Sequence, residues 1–375
     1  MNKFKYYFIL LLAGAAIVSC NKSDDDDVVT VPLRDYAEQY KADNDSIVKY
    51  LKTNYMTVTA DLDVTFAKIP AGGTQQSIWD QKEYPLKTRE VYDDAITYTV
   101  YYISFNEGTV DNPMNTDRIY ASYTGYTLGN VMFDSSYNVP GIWDLDGSGS
   151  RGVFVDGWKE IFPQFKTAKR SDKPGADGAY TYTGYGAGVM FLPSGLAYYA
   201  SAGTKYAAYS PMIFSFKLFD LTRLDHDFDG IYDVDEDLNG DGYVYDFRNT
   251  TKYPNPPADL IDDTDKDGIP DFLDADDDND GYSTLYEITK PDDPEFLFLG
   301  GLSKYYPYNP IADNPDTPNY DESEIYGIPR RPTGDLTNDK LPESIDNPRK
   351  FVKEDFEAPG RKRIHLDNTY PYQKR

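Results

Sequence analysis

From Ile119 to Leu221 the apolar positions come in short β-branched and aromatic runs, broken by Gly, Pro and Ser, the pattern of antiparallel strands. Upstream, Ile96–Phe105 (ITYTVYYISF) alternates by twos and is expected to pair with Arg118–Tyr126 (RIYASYTGY) to begin the same sheet. Between Val31 and about Tyr55 the spacing changes. Tyr36, Tyr40, Ile47, Tyr50 and Leu51 recur near helical period, with Asp43, Asp45 and Ser46 as candidate caps of a second helix. Inside the strand-rich stretch, Phe154–Phe162 (FVDGWKEIF) reads as a short helix led by Trp158. Ile78-Trp79-Asp80 reads as a packed lead-in to the sheet.

The first twenty residues carry Lys3 and Lys5, an apolar run too short to span a bilayer, and small residues before Cys20, as an export signal does. Ile17-Val18-Ser19-Cys20 resembles a bacterial lipobox, which implies that Cys20 is lipidated and anchors the mature chain to a membrane. Cys20 is the single cysteine, so no internal disulfide is expected. Asn21–Val29 is an acidic tether expected not to fold; it also resembles the surface-export signals of some outer-membrane lipoproteins.

After Leu221 the apolar runs give way to carboxylates. Asp225–Glu287 holds about a third of the chain's 63 acidic residues. Asp225, Asp227, Asp229, Gly230, Asp233 and Glu236 stand at positions 1, 3, 5, 6, 9 and 12 of a calcium loop. Asp276, Asp278, Asp280, Gly281, Thr284 and Glu287 do the same, and Asp263, Asp265, Asp267, Gly268, Asp271 and Asp274 repeat the phase with a terminal aspartate. Hard oxygen donors at alternate positions can converge on one ion, and glycine permits the sharp turn. Asp237, Asn239 and Asp241 open a further site that Arg248 leaves incomplete at its twelfth position. The spacing leaves no room for EF-hand helices, and Pro270 falls inside a loop. The region looks like thrombospondin type 3 repeats, ordered mainly by structural calcium. Lys290–Arg375 is Pro-, Asp- and Tyr-rich and reads as irregular; its basic end is expected to be a solvated tail, with docking on the acidic repeats as the other option.

A net charge of −26 argues against nucleic-acid binding. Two histidines, His226 and His365, lie far in sequence from the aromatic cluster, which nearly excludes Ser–His or Cys–His nucleophilic chemistry. Gly147–Gly152 matches GxGxxG without a strand–turn–helix around it and reads as a flexible insertion.

Five pieces in order, YTGY (Tyr123–Tyr126), FDSS (Phe133–Ser136), VDGW (Val155–Trp158), PSGLAYY (Pro193–Tyr199) and SPMIFSFKL (Ser210–Leu218), resemble the FKBP-type peptidyl-prolyl isomerases over about a quarter of the chain. The resemblance implies an α+β fold in which an antiparallel half-barrel sheet wraps a short helix. It implies a pocket with Trp158 as floor, Tyr123, Phe133, Phe154, Val155 and Phe214 as walls, and Asp134 as pocket aspartate. Tyr198 would bond the substrate carbonyl, and Tyr206 stands where an isoleucine usually caps the pocket. Tyr199 stands where the family usually has glycine, and Asn138–Gly152 and Lys166–Gly188 are insertions. No cofactor is expected for catalysis, because rotating an amide needs no nucleophile.

The expected organisation is a signal peptide (1–19), tether (20–30), helical extension (31–56), strand-rich lead-in (57–118), FKBP-like domain (119–222), calcium repeats (225–288) and irregular tail (289–375). The expected function is isomerisation of Xaa-Pro bonds in exported client proteins by an outer-membrane lipoprotein, facing the periplasm or the cell surface. The N-terminal helix is expected to pack on the next domain, with homodimerisation as the other option. Two further readings stay open: a binding module without turnover, and a calcium-dependent structural surface protein.

Overall fold

The computed structural model describes residues 32–153, 155–291, 301–314 and 320–370. The signal, Cys20, the acidic tether and Phe154 lie outside the described residues. From Asp35 onward the chain forms one unit.

Helix α1 (Tyr36–Thr53) starts at Asp35, whose carboxylate accepts from the Glu38 backbone N–H at 3.0 Å. It runs unbroken past Asp43, so the second helix expected there does not exist. Asp43 is buried within the helix, and its Oδ2 accepts from the backbone N–H and hydroxyl of Ser194 at 2.7 and 2.6 Å. That carboxylate serves a turn elsewhere in the fold and caps nothing in its own helix. Strands β1 (Asn54–Val58) and β2 (Val64–Lys68) form a small ladder of their own. The main sheet takes β3 (Leu86–Asp93), β4 (Ile96–Asn106), β5 (Arg118–Thr127), β6 (Met132–Ser135) and β7 (Gly141–Asp144). Helix α2 (Asp156–Ile161) follows, then the two-residue β8 (Lys169–Arg170) and β9 (Tyr182–Thr183), which pair only with each other. Strands β10 (Gly186–Leu192) and β11 (Met212–Thr222) complete the seven-stranded sheet, ordered β3-β4-β10-β11-β5-β6 with β7 on the other part of β5. Every pairing is antiparallel.

The period of two sorts the side chains into two cores. Met190 and Leu192 of β10, and Met212, Phe214 and Phe216 of β11, face α2 and pack with Trp158 and Ile161. Val189, Phe191 and Ile213 face the other way, onto Ile47, Tyr50 and Leu51 of α1. Covering on both faces explains why β10 is buried at all seven positions. The fold is therefore α+β, an antiparallel sheet with a short helix in its concavity and an N-terminal helix behind it. The apolar stripe of α1 packs on its own sheet, as expected of a helix lying across the next domain.

The insertion containing the GxGxxG match is ordered where β7 joins the sheet. Trp143 on β7 donates its indole N–H to the Ala121 carbonyl at 3.3 Å. The acidic stretch docks on α2 through Tyr243, whose hydroxyl donates to the Glu160 carbonyl at 2.8 Å beneath the Arg89 guanidinium. The end of the chain differs from the solvated tail expected. Ile328, Phe356 and Ile364 pack with Ile231 and Ile288 of the acidic region into a third core, and His365 is buried beside them. Scattered apolar residues without periodicity are enough here because they pack against Ile231 and Ile288 of the acidic region. Among the described residues no helix is long and apolar enough to cross a membrane.

Candidate functional site

Two places gather chemistry-bearing side chains: an aromatic cup over α2 and the carboxylate loops beside it. The cup is assembled by register. On β5 and β11, Tyr123 sits opposite Phe216 and Gly125 opposite Phe214, while Gly125 also faces Asp134 on β6. A Cβ at position 125 would lie 2.5 Å from the Phe133 ring, so glycine there lets that ring cross the strand to reach Phe214 at 5.6 Å between centroids. Trp158 lies edge-to-face with Tyr123 at 4.9 Å and with Phe214 at 5.5 Å. Phe133 then meets Tyr206 at 5.2 Å and Tyr198 at 6.1 Å, and the last two stack at 5.2 Å. Val155 is buried at the start of α2.

One polar contact links the rim. The Tyr123 hydroxyl donates to Asp134 Oδ2 at 2.7 Å, and burial followed by this bond drives the phenol well above its ordinary range. Burial, with Tyr206 and Asp134 nearby, raises the Tyr198 hydroxyl to about 12, so it stays a neutral donor. The rim residues Tyr123, Phe133, Tyr198 and Tyr206 are half-buried and Asp134 is exposed. The floor is covered: Trp158 is 3% exposed, and among the described residues its indole N–H has no hydrogen-bond partner. Trp143, 5.6 Å from Tyr123 and 6.1 Å from Trp158, belongs to the same cluster and was missed, although a tryptophan in an insertion beside an aromatic strand was the available signal. Tyr199 is in the left-handed region at φ +42°, the conformation for which glycine is favoured. Its ring turns away from the cup to stack on Tyr36 of α1 at 4.3 Å.

The acidic loops repeat one hydrogen-bond scheme four times. The first-position aspartate accepts from the backbone N–H of the sixth-position glycine: Asp225 from Gly230 at 3.2 Å, Asp237 from Gly242 at 2.8 Å, Asp263 from Gly268 at 3.0 Å and Asp276 from Gly281 at 3.1 Å. All four glycines lie at φ between +88° and +98°, which a Cβ would oppose. No EF-hand helices flank the loops; they close on short turns such as Asp233–Asp235 and Asp271–Leu273 and on the one-turn α3 (Thr284–Glu287).

Three sets of carboxylates converge, each with ligand atoms within 4.8 Å of one another: Asp263, Asp265 and Asp267; Asp276, Asp278 and Asp280; and Asp227, Asp229, Glu236 and Asp277. Asp225, Asp274 and Glu287 stand outside these tight sets, although Glu287 is buried beside the second. The ninth-position residues do something else. Asp233 accepts from the His226 backbone N–H at 3.2 Å and bonds its Nδ1 at 2.6 Å, and Asp271 accepts from the Thr264 backbone N–H and hydroxyl, both at 2.7 Å. Those carboxylates close their loops. Around the incomplete second loop, buried Asp262 takes that closing place from outside, accepting from the Leu238 backbone N–H at 3.0 Å.

Among the described residues, both oxygens of Glu236, and one each of Asp227, Asp229, Asp265, Asp276 and Asp278, are buried without a hydrogen-bond partner. Burial and mutual repulsion push Asp227 up to about 8, Asp229 and Asp278 to about 7, and Glu287 to about 10. An all-oxygen, charge-dense donor set fits a hard divalent cation, and fits no soft metal.

The comparisons divide along the same line. The family described as BamM C-terminal matches residues 226–319, about a quarter of the chain, over the stretch expected to resemble thrombospondin type 3 repeats. Similar solved structures include a peptidyl-prolyl cis-trans isomerase from Pseudomonas syringae, at 15% identity over 52% of this chain and 100% of that one, with a TM-score of 0.29. FkpA from Escherichia coli is 15% identical over 59% of this chain and 74% of that one, TM-score 0.29. The N-terminal domain of FKBP42 from Arabidopsis thaliana is 12% identical over 36% of this chain and 92% of that one, TM-score 0.27. No curated protein matches the chain in sequence.

Proposed function

We propose that this chain is an exported peptidyl-prolyl isomerase of the FKBP type, stiffened by calcium in its acidic loops. The observation that carries the isomerase reading is the convergence of Tyr123, Phe133, Asp134, Trp158, Tyr198, Tyr206 and Phe214 on one cluster from separate segments of the chain. The barrier to amide rotation is about 18–20 kcal/mol, most of it lost resonance. An aromatic surround favours the twisted, less polar amide over the planar one. The neutral Tyr198 hydroxyl would donate to the substrate carbonyl. Asp134, held by Tyr123, would orient the rim. Phe133 and Tyr206 would part to admit the proline ring to Trp158.

Calcium would be held by Asp263, Asp265 and Asp267, by Asp276, Asp278, Asp280 and Glu287, and in the first loop by Asp227, Asp229 and Glu236. Its contribution is structural: it neutralises carboxylates that otherwise repel. An outer-membrane-associated location fits both the lipid-attachment motif at Cys20 and the match to the BamM C-terminal family.

The test is cis/trans exchange on a panel of Xaa-Pro peptides, with calcium and with chelator. Acceleration that falls in folded Trp158→Leu and Asp134→Ala variants supports the enzyme. A folded, calcium-loaded chain that accelerates nothing rejects it. One observation favours a second reading, a client-binding module without turnover: the covered floor, with Trp158 at 3% exposure. Saturable binding of a proline peptide at the cup, with no exchange, would select that reading.

A further inference from the structure

We infer that Asp277 is the closing ligand of the first loop's cation, so that one ion clips the first acidic loop to the fourth. This rests on the calcium reading and goes beyond it, because Asp277 occupies the second position of its own loop, where no ligand is expected.

Three observations carry it. Asp277 lies with Asp227, Asp229 and Glu236 in a set whose ligand atoms are all within 4.8 Å, although the fourth loop supplies only this member. Asp229, Glu236 and Asp277 are 1%, 3% and 2% exposed, and among the described residues neither oxygen of Glu236 or of Asp277 has a hydrogen-bond partner. Four carboxylates that meet in the interior need a counter-charge, since isolated buried charge is prohibitively costly. Among the described residues none of the four has a Lys or Arg within ion-pair distance.

The second positions of the other loops show why Asp277 is available. His226 and Thr264 use their side chains to bond their ninth-position aspartates, and Leu238 has no donor to give. In the fourth loop the ninth residue is Thr284, whose hydroxyl accepts from the Asp277 backbone N–H at 3.3 Å. The Asp277 carboxylate faces the first loop. Asp233, which the calcium-loop template nominates, lies outside this set, its carboxylate turned to the His226 backbone N–H and Nδ1. The ligand class is a hard divalent cation of calcium size, held by Asp227, Asp229, Glu236 and Asp277. Its consequence is mechanical: Ile231 and Ile288, which flank the two loops, are the base on which the C-terminal core packs.

The experiment strips the purified protein with chelator, reloads it with calcium and counts ions by native mass spectrometry. Asp277→Asn and Glu236→Gln are each expected to hold one ion fewer than the unmodified protein, and Asp233→Asn the same number. An unchanged count in a folded Asp277→Asn protein overturns the inference, as does loss of an ion in Asp233→Asn. Anomalous diffraction from unmodified crystals grown with calcium does not depend on any variant folding. A peak between Glu236 and Asp277 is expected; peaks in the other loops with none there overturn the inference while leaving the calcium reading standing. A protein that binds no calcium at all removes both.

Discussion

Between Leu86 and Thr222 the buried charges are few and each has a cation against it: Asp93 with Lys252, Asp117 with Arg223, Asp144 with Arg118 and Glu160 with Arg89. Between Asp225 and Ile288 the buried positions are mostly acids, among them Asp229, Glu236, Asp277 and Asp278, which have no Lys or Arg partner among the described residues. The first region is held by apolar burial and completed by ion pairs. The second inverts that order: its fully buried hydrophobic side chains are few, Ile231, Tyr243, Val244, Phe272 and Ile288 among them, and its carboxylates repel. One chain thus carries a region whose buried acids are paired with Lys or Arg and a region where most of them, among the described residues, are not.

Removing calcium should break this comparison most visibly. With chelator, residues 225–291 and the tail packed on them should lose hydrogen-exchange protection by several orders of magnitude, while β4, β10 and β11 keep theirs. Uniform loss would mean that the two regions are one cooperative unit, joined through the Tyr243–Glu160 contact. Uniform retention would mean that the acidic loops stand without a cation.

The next effect belongs to the sheet. Phe214 is 1% exposed and touches Tyr123, Phe133 and Trp158. Phe214→Ala should cost about 3–5 kcal/mol in denaturant unfolding, by lost burial and a residual cavity. That cost should be the same with and without calcium, because the repeats do not contribute to this core. A calcium-dependent cost would show coupling where the side chains show none.

Sequence made the two regions legible to different depths. The strands of the sheet follow from period-two runs, and the five FKBP-like pieces name most of the cup because strand register carries them to one face. Trp143 is the exception: a tryptophan beside an aromatic strand is a signal, but the pattern of the insertion does not show that it returns to the sheet as β7. In the acidic region the loop phase predicted the turns, since the glycine conformation and the aspartate-to-backbone bonds are local. It did not predict which carboxylates converge. Asp277 and Asp262 act across loops, and Asp233 and Asp271 are diverted by His226 and Thr264; none of that is encoded in spacing. The docked tail was hidden for the same reason, because Ile328, Phe356 and Ile364 have no period to betray a core.

A pH step tests whether the tail belongs to the acid-held region. Burial, then repulsion from Arg363, lowers His365 to about 3. A histidine depressed in the folded state resists protonation there, while the unfolded tail takes a proton near pH 6.5. Its stabilising contribution is therefore full above pH 6.5 and is lost as pH falls toward 3. Between pH 7 and pH 5 the docked tail should weaken by about 2 kcal/mol in exchange experiments at saturating calcium, from the displacement of this one group. His365→Phe, which keeps a ring in the C-terminal core without a titrating group, should flatten that dependence. A slope unchanged by the substitution would assign the acid sensitivity to the carboxylates of the loops.

The smallest effect on stability should carry the sharpest functional meaning. Asp134 is exposed at the rim, and its one polar contact inside the cup is the bond from Tyr123. Asp134→Asn retains an oxygen that can accept from that phenol, so unfolding should shift by no more than about 0.5 kcal/mol. The charge is what changes. If the carboxylate orients the phenol toward a bound amide, replacing a charge-assisted hydrogen bond by a neutral one should lower kcat/KM for Xaa-Pro exchange by about tenfold. Phe214→Ala should lower it through loss of fold instead, so the two variants separate a residue that acts on the substrate from one that only shapes the cup. Equal losses of exchange and stability in Asp134→Asn would return this aspartate to the scaffold.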